Sequence, residues 1–271
     1  MTTTQPDTFT LAARQPAASV IAECLRTQAT APPRSPVARL FGRTPLSAES
    51  EPWYLGALGE LEVARRLDSL GPDWRVFHSV PVGRGSSDID HVVVGPPGVF
   101  TINTKHHEGH DIWLGSKRLL VSGQPTDHLR NASFEAKRAS QLLSAAAHAL
   151  IEVTPVIVIV GARRITVRER PATVIVLRER SLIKWLGSRP AAVPPDAVDR
   201  VADAAAQPST WHEAPSLEPA DVAAFDQLRR NVDGARTRRR GWAIAGLLAI
   251  LAALPLGAVS AWTSVMSALV P

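Results

Sequence analysis

The 271-residue sequence predicts an α/β fold, a mixed sheet flanked by helices, with a C-terminal transmembrane helix after it. Three observations predict this. Residues 88–105 read DIDHVVVGPPGVFTINTK, two alternating strand-like segments around a Gly-Pro-Pro-Gly turn. Helical periodicity lies on both sides of this hairpin and an apolar run follows at 155–160, the order of elements that builds a mixed sheet with helices on both faces. Finally, residues 241–271 contain no charged side chain.

Taken in order, residues 1–50 are rich in Ala, Thr, Pro and Ser, with no sustained period. Ala-Pro-Pro-Arg-Ser-Pro is linker chemistry, so a disordered tail is expected. The segment lacks the charged start and continuous apolar core of a secretory signal. The folded domain is assigned to 51–190. Within it a helix is expected over 53–70 and strands at 74–80, 89–94, 99–104 and 111–114. Asn131 is a candidate N-cap for a helix reaching residue 151. Further strands are expected at 155–160 and 173–177, and short helices near 180–186, 195–206 and 219–231. Residues 191–235 are assigned to a helical extension and linker.

The transmembrane helix is placed at 241–270. GWAIAGLLAILAALPLGAVSAW is long enough to cross a bilayer core of ~30 Å at ~1.5 Å per residue. A kink at Pro255 is tolerated in membrane helices, and Trp242 and Trp262 stand near the ends as interfacial aromatics do. The preceding Arg236-Thr237-Arg238-Arg239-Arg240 keeps the large domain cytoplasmic by the positive-inside rule, giving a single-pass protein of the cell membrane. Two shorter hydrophobic helices broken at Pro255 are the alternative.

Composition bounds the chemistry loosely. Lys+Arg number 30 against 25 Asp+Glu, a balance compatible with nucleic acid and equally with the cytoplasmic face of a membrane. A single cysteine, Cys24, excludes an intrachain disulfide and any multi-Cys zinc site, and fits a reducing compartment.

Two acids compete in the first helix. Glu60 shares a stripe with Val63, Ala64, Leu67 and Leu70, whereas Glu62 shares a face with Arg65, Arg66 and Ser69 and can pair with Arg66 four residues on. Glu62 therefore reads as a solvated acid. Glu60 either needs a partner such as a metal or Lys, or sits at the edge of the stripe and complements the helix dipole. In the strands, Asp88, Asp90, Val92 and Val94 share one face, and Thr101, Asn103 and Lys105 share one face of the next strand. If the two pair as a hairpin, Asp90 approaches Asn103 and Lys105. An acid that holds a divalent cation beside a Lys that stabilises charge is what metal-dependent phosphodiester cleavage requires; separately, each is also an ordinary strand-end residue.

Gly56-Ala57-Leu58-Gly59-Glu60, then residues 88–96 (DIDHVVVGP) and 98–105 (GVFTINTK), together resemble the nuclease-related domain family, over about half of the chain, from 53 to 186. That family is assigned to the PD-(D/E)XK nuclease superfamily. The resemblance implies a restriction-endonuclease-like fold, with Glu60, Asp90 and the residue at 103 as ligands to Mg²⁺ or Mn²⁺ and with Glu60, Asp90 and Lys105 as catalytic residues. One position departs: where the family pattern has an acid two residues before the Lys, this chain has Asn103. An amide oxygen still ligates a hard cation but carries no full charge. Gln141, with Phe134 and Arg138 at compatible spacing, is a further candidate on the following helix.

Other motifs carry less. His106-His107-Glu108-Gly109-His110 lacks the two histidines four apart on a helix that a metalloprotease uses, and reads as a solvated turn whose histidines could contact phosphate. Gly83-Arg84-Gly85-Ser86-Ser87 lacks the Lys-Ser/Thr ending of a phosphate-cradling loop. No GxSxG elbow frames a hydrolase nucleophile, and no interleaving of basic and aromatic residues marks a single-strand platform. Two functions are therefore expected: a membrane-anchored, metal-dependent DNA endonuclease, or a catalytically inactive module of the same fold that binds nucleic acid or protein at the membrane.

Overall fold

A computed structural model describes residues 10–82, 88–212 and 219–269, without the side chains of 252–269. The Gly83–Ser87 segment discussed above lies outside the described residues. The elements are α1 (Ala18–Ala29), α2 (Pro36–Leu40), α3 (Glu51–Leu67), β1 (Arg75–Pro81), β2 (Asp88–Gly95), β3 (Gly98–His106), β4 (Asp111–Leu114), β5 (Leu119–Val121), β6 (Gln124–Thr126), α4 (His128–Ala147), β7 (Val153–Val160), β8 (Arg164–Val167), β9 (Ile175–Arg178), α5 (Leu182–Gly187), α6 (Pro195–Ala206), α7 (Pro208–Trp211) and α8 (Val222–Leu269).

The chain divides into two compact units, Met1–Cys24 with Glu51–Asp221, and Leu25–Ser50 with Val222–Pro271. In the first, a five-stranded sheet runs β1-β2-β3-β7-β9, antiparallel across β1, β2 and β3 and parallel across β3, β7 and β9. The mixed α/β class read from the sequence is thus present. A smaller sheet, β6-β5-β4-β8, includes three short strands that alternation did not resolve. The expected hairpin forms, with Gly95 opposite Gly98 and His91 opposite Ile102. From Pro155 to Val160 β7 is a continuous apolar run, buried from Val156 on because it is covered on both faces, as central parallel strands are.

Each face of the large sheet has its own core. Val63 and Leu67 of α3 and Leu182 and Leu186 of α5 pack with Val93, Phe100, Ile102, Val156 and Val158. Ala139 and Leu143 of α4 and Val198, Val201, Ala202 and Ala205 of α6 pack with Phe77, Val92, Val94 and Val99. The α6 stripe, at three- and four-residue spacing, therefore makes residues 195–206 part of the core and not the expected extension.

The expectation of a disordered tail over 1–50 is likewise corrected. Leu11, Ala18, Ile21 and Cys24 are buried, and the Arg14 guanidinium forms a 3.0 Å ion pair with Asp88 at the start of β2. The apolar stripe of α1 is only twelve residues long and is masked by its Ala- and Pro-rich neighbourhood. Residues 1–9 lie outside the description. The helix expected behind Asn131 starts earlier, at His128 behind Asp127.

In the second unit, α8 continues unbroken through Pro255 to Leu269. Gly42, at φ +69°, lets the loop after α2 touch α8: a Cβ there would lie 2.4 Å from the Ala235 carbonyl oxygen and 2.5 Å from the Arg239 nitrogen. Trp242 Nε1 donates to the Leu40 carbonyl at 2.9 Å, and its ring meets Phe41 at 5.0 Å. Beside this contact a crevice of about 620 Å³ is lined by Arg34, Arg39, Arg238 and Asn231. Burial and the two neighbouring guanidinium groups hold the Arg34 pKa below its ordinary value. Among the described residues no helix is long and apolar enough to cross a membrane. Most of the span expected over 241–270 falls on residues 252–271, whose side chains are not described.

Candidate active site at the fork of β2 and β3

Beyond His91–Ile102, β2 stays paired to β1 as far as Pro81–Asp88, and β3 stays paired to β7 as far as His106–Val160. The two strands thus part company at residues 90 and 103. The Thr104 N–H, which a ladder partner would have taken, donates instead to Asp90 Oδ2 at 2.5 Å. A carboxylate is thereby held inside the fork by the backbone itself.

Glu60 arrives from α3. Gly59 brings the helix against β3, since a Cβ at that position would meet His106 Cβ at 3.1 Å and Thr104 Cγ2 at 3.2 Å. The next residue, Glu60, is 6 % exposed, whereas Glu62 faces outward in ion pairs with Arg65 at 2.9 Å and Arg66 at 2.7 Å. Helical spacing separated the two acids correctly, and Glu60 has more than a helix-edge setting. Its carboxyl is pushed well above the ordinary range, first by burial and then by the charge of Asp90, with Lys105 opposing. Asp90 is pushed up too, by burial against the pull of Lys105 and the Thr104 N–H. A buried acid, Glu60, a half-buried acid, Asp90, and one lysine from three segments therefore act on one another.

Asn103 completes the group. It is 7 % exposed, its Nδ2 donates to Glu135 Oε2 of α4 at 2.8 Å, and its Oδ1 has no partner. Burial raises the Glu135 pKa, the Asn103 amide lowers it, Asp90 raises it and Lys105 lowers it. Glu135 was not anticipated from the sequence, although the signal existed: it is an acid spaced three and four residues from Ala132 and Ala139, both buried. Gln141, which was anticipated, is exposed along with Phe134 and Arg138, on the side of α4 turned from the sheet.

The donor set is carboxylate and amide oxygen, the hard chemistry that Mg²⁺ and Mn²⁺ take. The orphaned Asn103 Oδ1 and the crowded acids fit such an ion. Among the described residues no three His, Cys, Asp or Glu side chains stand close enough together to hold a metal unaided. An ion here would depend on the Asn103 oxygen.

The family model of the nuclease-related domain matches residues 55–160, which contain Glu60, Asp90, Asn103, Lys105 and Glu135. This stretch is similar to the nuclease-related domain family. An uncharacterized protein of Bacillus anthracis is 39% identical over 72 residues, which make up 25% of this chain and 32% of that protein. The chain thus spans about a third of that relative's length. No solved structure matches.

The nuclease-related domain points to a nuclease-related function and to nucleic acid. Next to its Lys105 lies a histidine pair that differs from the solvated turn expected there. His107 and His128 stack, with their Nε2 atoms 3.4 Å apart, while His110 lies at the surface. Burial, assisted for both by Lys105, lowers each pKa to about 4.

A pH dependence follows. The unfolded chain protonates these rings at about 6.5 and the folded domain only near 4, so their contribution to stability is full above pH 6.5 and is lost as pH falls toward 4. Glu60, Asp90 and Glu135, with raised values, act in the opposite sense. The readout is therefore the melting-temperature difference between wild type and a His107→Gln/His128→Gln variant, which is expected to move against the wild type between pH 7 and pH 5. A constant difference would refute the assignment.

Proposed function

We propose that this chain is a metal-dependent DNA endonuclease held on the cytoplasmic face of the cell membrane. The observation that carries the reading is that Glu60, Asp90 and Lys105 lie near enough at the strand fork to act on one another's charge, beside Asn103, whose buried Oδ1 has no hydrogen bond. In this reading Glu60, Asp90 and Asn103 hold Mg²⁺ or Mn²⁺. The ion, when bound, supplies Lewis-acid polarisation of a phosphate and a water of lowered pKa. Lys105 stabilises negative charge building on the phosphate oxygens. Burial of Glu60 and half-burial of Asp90 reduce the screening of their charge by solvent.

Attachment to the membrane is supported by the uncharged 241–271 run, the continuity of α8 and the arginines that precede the run. Three of the crevice's liners are cationic, and such juxtamembrane clusters favour anionic lipid surfaces by about 1 kcal/mol per residue. A second reading, a catalytically inactive module binding nucleic acid or protein, is favoured by one observation, the amide at position 103.

Membranes carrying the full chain, washed in alkaline carbonate, decide among these. The expected result is that the protein stays in the pellet and that the pellet cuts added linear and circular DNA with Mg²⁺ or Mn²⁺ and not with chelator. Release by the wash would sink the anchor. Retention with DNA binding but no cutting would select the inactive module.

A further inference from the structure

Asn103 removes a negative charge from the strand at the point where a cation site needs one, yet the charge is not missing from the neighbourhood. Directly against the amide, 2.8 Å from Nδ2, is the Glu135 carboxylate, carried by a different element 32 residues along the chain. An amide with both ends free could turn either its oxygen or its nitrogen toward Asp90. Here Glu135 accepts from the nitrogen and so fixes the orientation. The oxygen is then left buried, without a hydrogen bond, an arrangement that is destabilising unless something occupies it. Glu135 also belongs to the same electrostatic group as the other acids, since Asp90 and Lys105 both act on it.

We propose that Asn103 and Glu135 together form a divided carboxylate, in which Asn103 supplies the oxygen that faces the cation and Glu135, from α4, supplies the charge. Glu135 is a positioning residue that acts through the amide. It holds Nδ2, keeps Oδ1 directed to the ion, and polarises the amide so that the oxygen carries more negative charge. The arrangement parallels the carboxylates that orient metal-binding histidines from behind, whose loss typically costs about 10–100-fold in affinity. It accounts for a site where, among the described residues, no three His, Cys, Asp or Glu side chains are placed to hold a metal by themselves, and for an acid on the inward stripe of α4 that would otherwise only destabilise the core. The inference rests on the cation reading given above and assigns a new residue to it.

The test exchanges the two groups without changing their size. Mn²⁺ affinity of the full chain in detergent micelles is measured by titration calorimetry for wild type, Glu135→Gln, and the double variant Asn103→Asp/Glu135→Gln. Glu135→Gln is expected to bind Mn²⁺ about 10–100-fold more weakly. Its side chain offers an NH₂ that can pair with Oδ1 and turn the amide the wrong way. The double variant, with acid and amide interchanged across the same hydrogen bond, is expected to return to within about three-fold of wild type, a rescue that a packing role for Glu135 does not produce. Metal-free melting temperatures accompany the titrations. Glu135→Gln relieves repulsion with Asp90 and is expected to melt no lower than wild type, so weak binding cannot be ascribed to a failed fold.

Equal affinity in Glu135→Gln and wild type would overturn the divided carboxylate and leave the cation site standing. Failure of the double variant to recover would overturn it too. No Mn²⁺ binding by the wild type at millimolar concentration would instead remove the cation reading itself.

Discussion

Asp90→Asn is expected to lower Mn²⁺-dependent DNA cleavage by roughly a hundred-fold or more if Asp90 ligates the ion as proposed, since loss of a direct ligand exceeds the ~10–100-fold cost of losing a residue behind one. The same change is expected to leave the metal-free protein at least as stable. Asn keeps a side-chain oxygen that can accept the Thr104 N–H, so the fork stays closed. What disappears is a half-buried charge that raises the Glu60 pKa. Opposite movements of activity and stability are the signature of a group placed for chemistry at some expense to the fold. Cleavage rates and metal-free melting curves, measured on the same preparations, check it. A variant that cuts normally would remove Asp90 from the site, and one that melts far below wild type would make Asp90 a structural cap for β3.

Arg14→Met is expected to be the most damaging substitution outside the site. The Arg14–Asp88 pair is almost enclosed, with side chains 6% and 13% exposed, and Ser19 adds hydrogen bonds to both partners. Removing one member of such a pair costs about 3–5 kcal/mol, because the other is left charged and dry. For a unit of this size that corresponds to a melting point lower by roughly 10 °C. Burial already raises the Asp88 pKa and Arg14 opposes the rise. Without Arg14 the carboxyl takes up its proton at higher pH, so the loss is expected to shrink as pH falls from 8 to 5. Thermal melts across that range, with Asp88→Asn added to Arg14→Met as a partial rescue, provide the measurement. A loss under 1 kcal/mol at pH 8 would mean that the N-terminal segment is not tied to β2 in this way.

These two residues also show what kind of information a sequence carries. Asp90 was legible because its strand alternates and a Gly-Pro-Pro-Gly turn brings the next strand back beside it within a few residues. Glu60 was legible for a similar reason: helical spacing put it on the apolar stripe and put Glu62 opposite two arginines. Arg14 was not legible. Its partner lies 74 residues away, in a segment whose composition resembles a linker. The short strands β5, β6 and β8 escaped because three or four residues do not establish a period.

By itself the sequence determined the α/β class, the β2–β3 hairpin with Asp90 and Lys105 on it, the inward side of α3, and the uncharged run behind five residues that include four arginines. Each is a local pattern, settled by the repeat of a helix or strand or by a turn. Only the tertiary structure decided that Glu135 rather than Gln141 meets the site, that Asn103 is held by one end with its oxygen free, and that Arg14 closes over Asp88. Those contacts join elements far apart in the chain. Which face of α4 turns inward is decided by the packing of Ala132, Ala136, Ala139 and Leu143 as a set, and the acid among them is carried in with it.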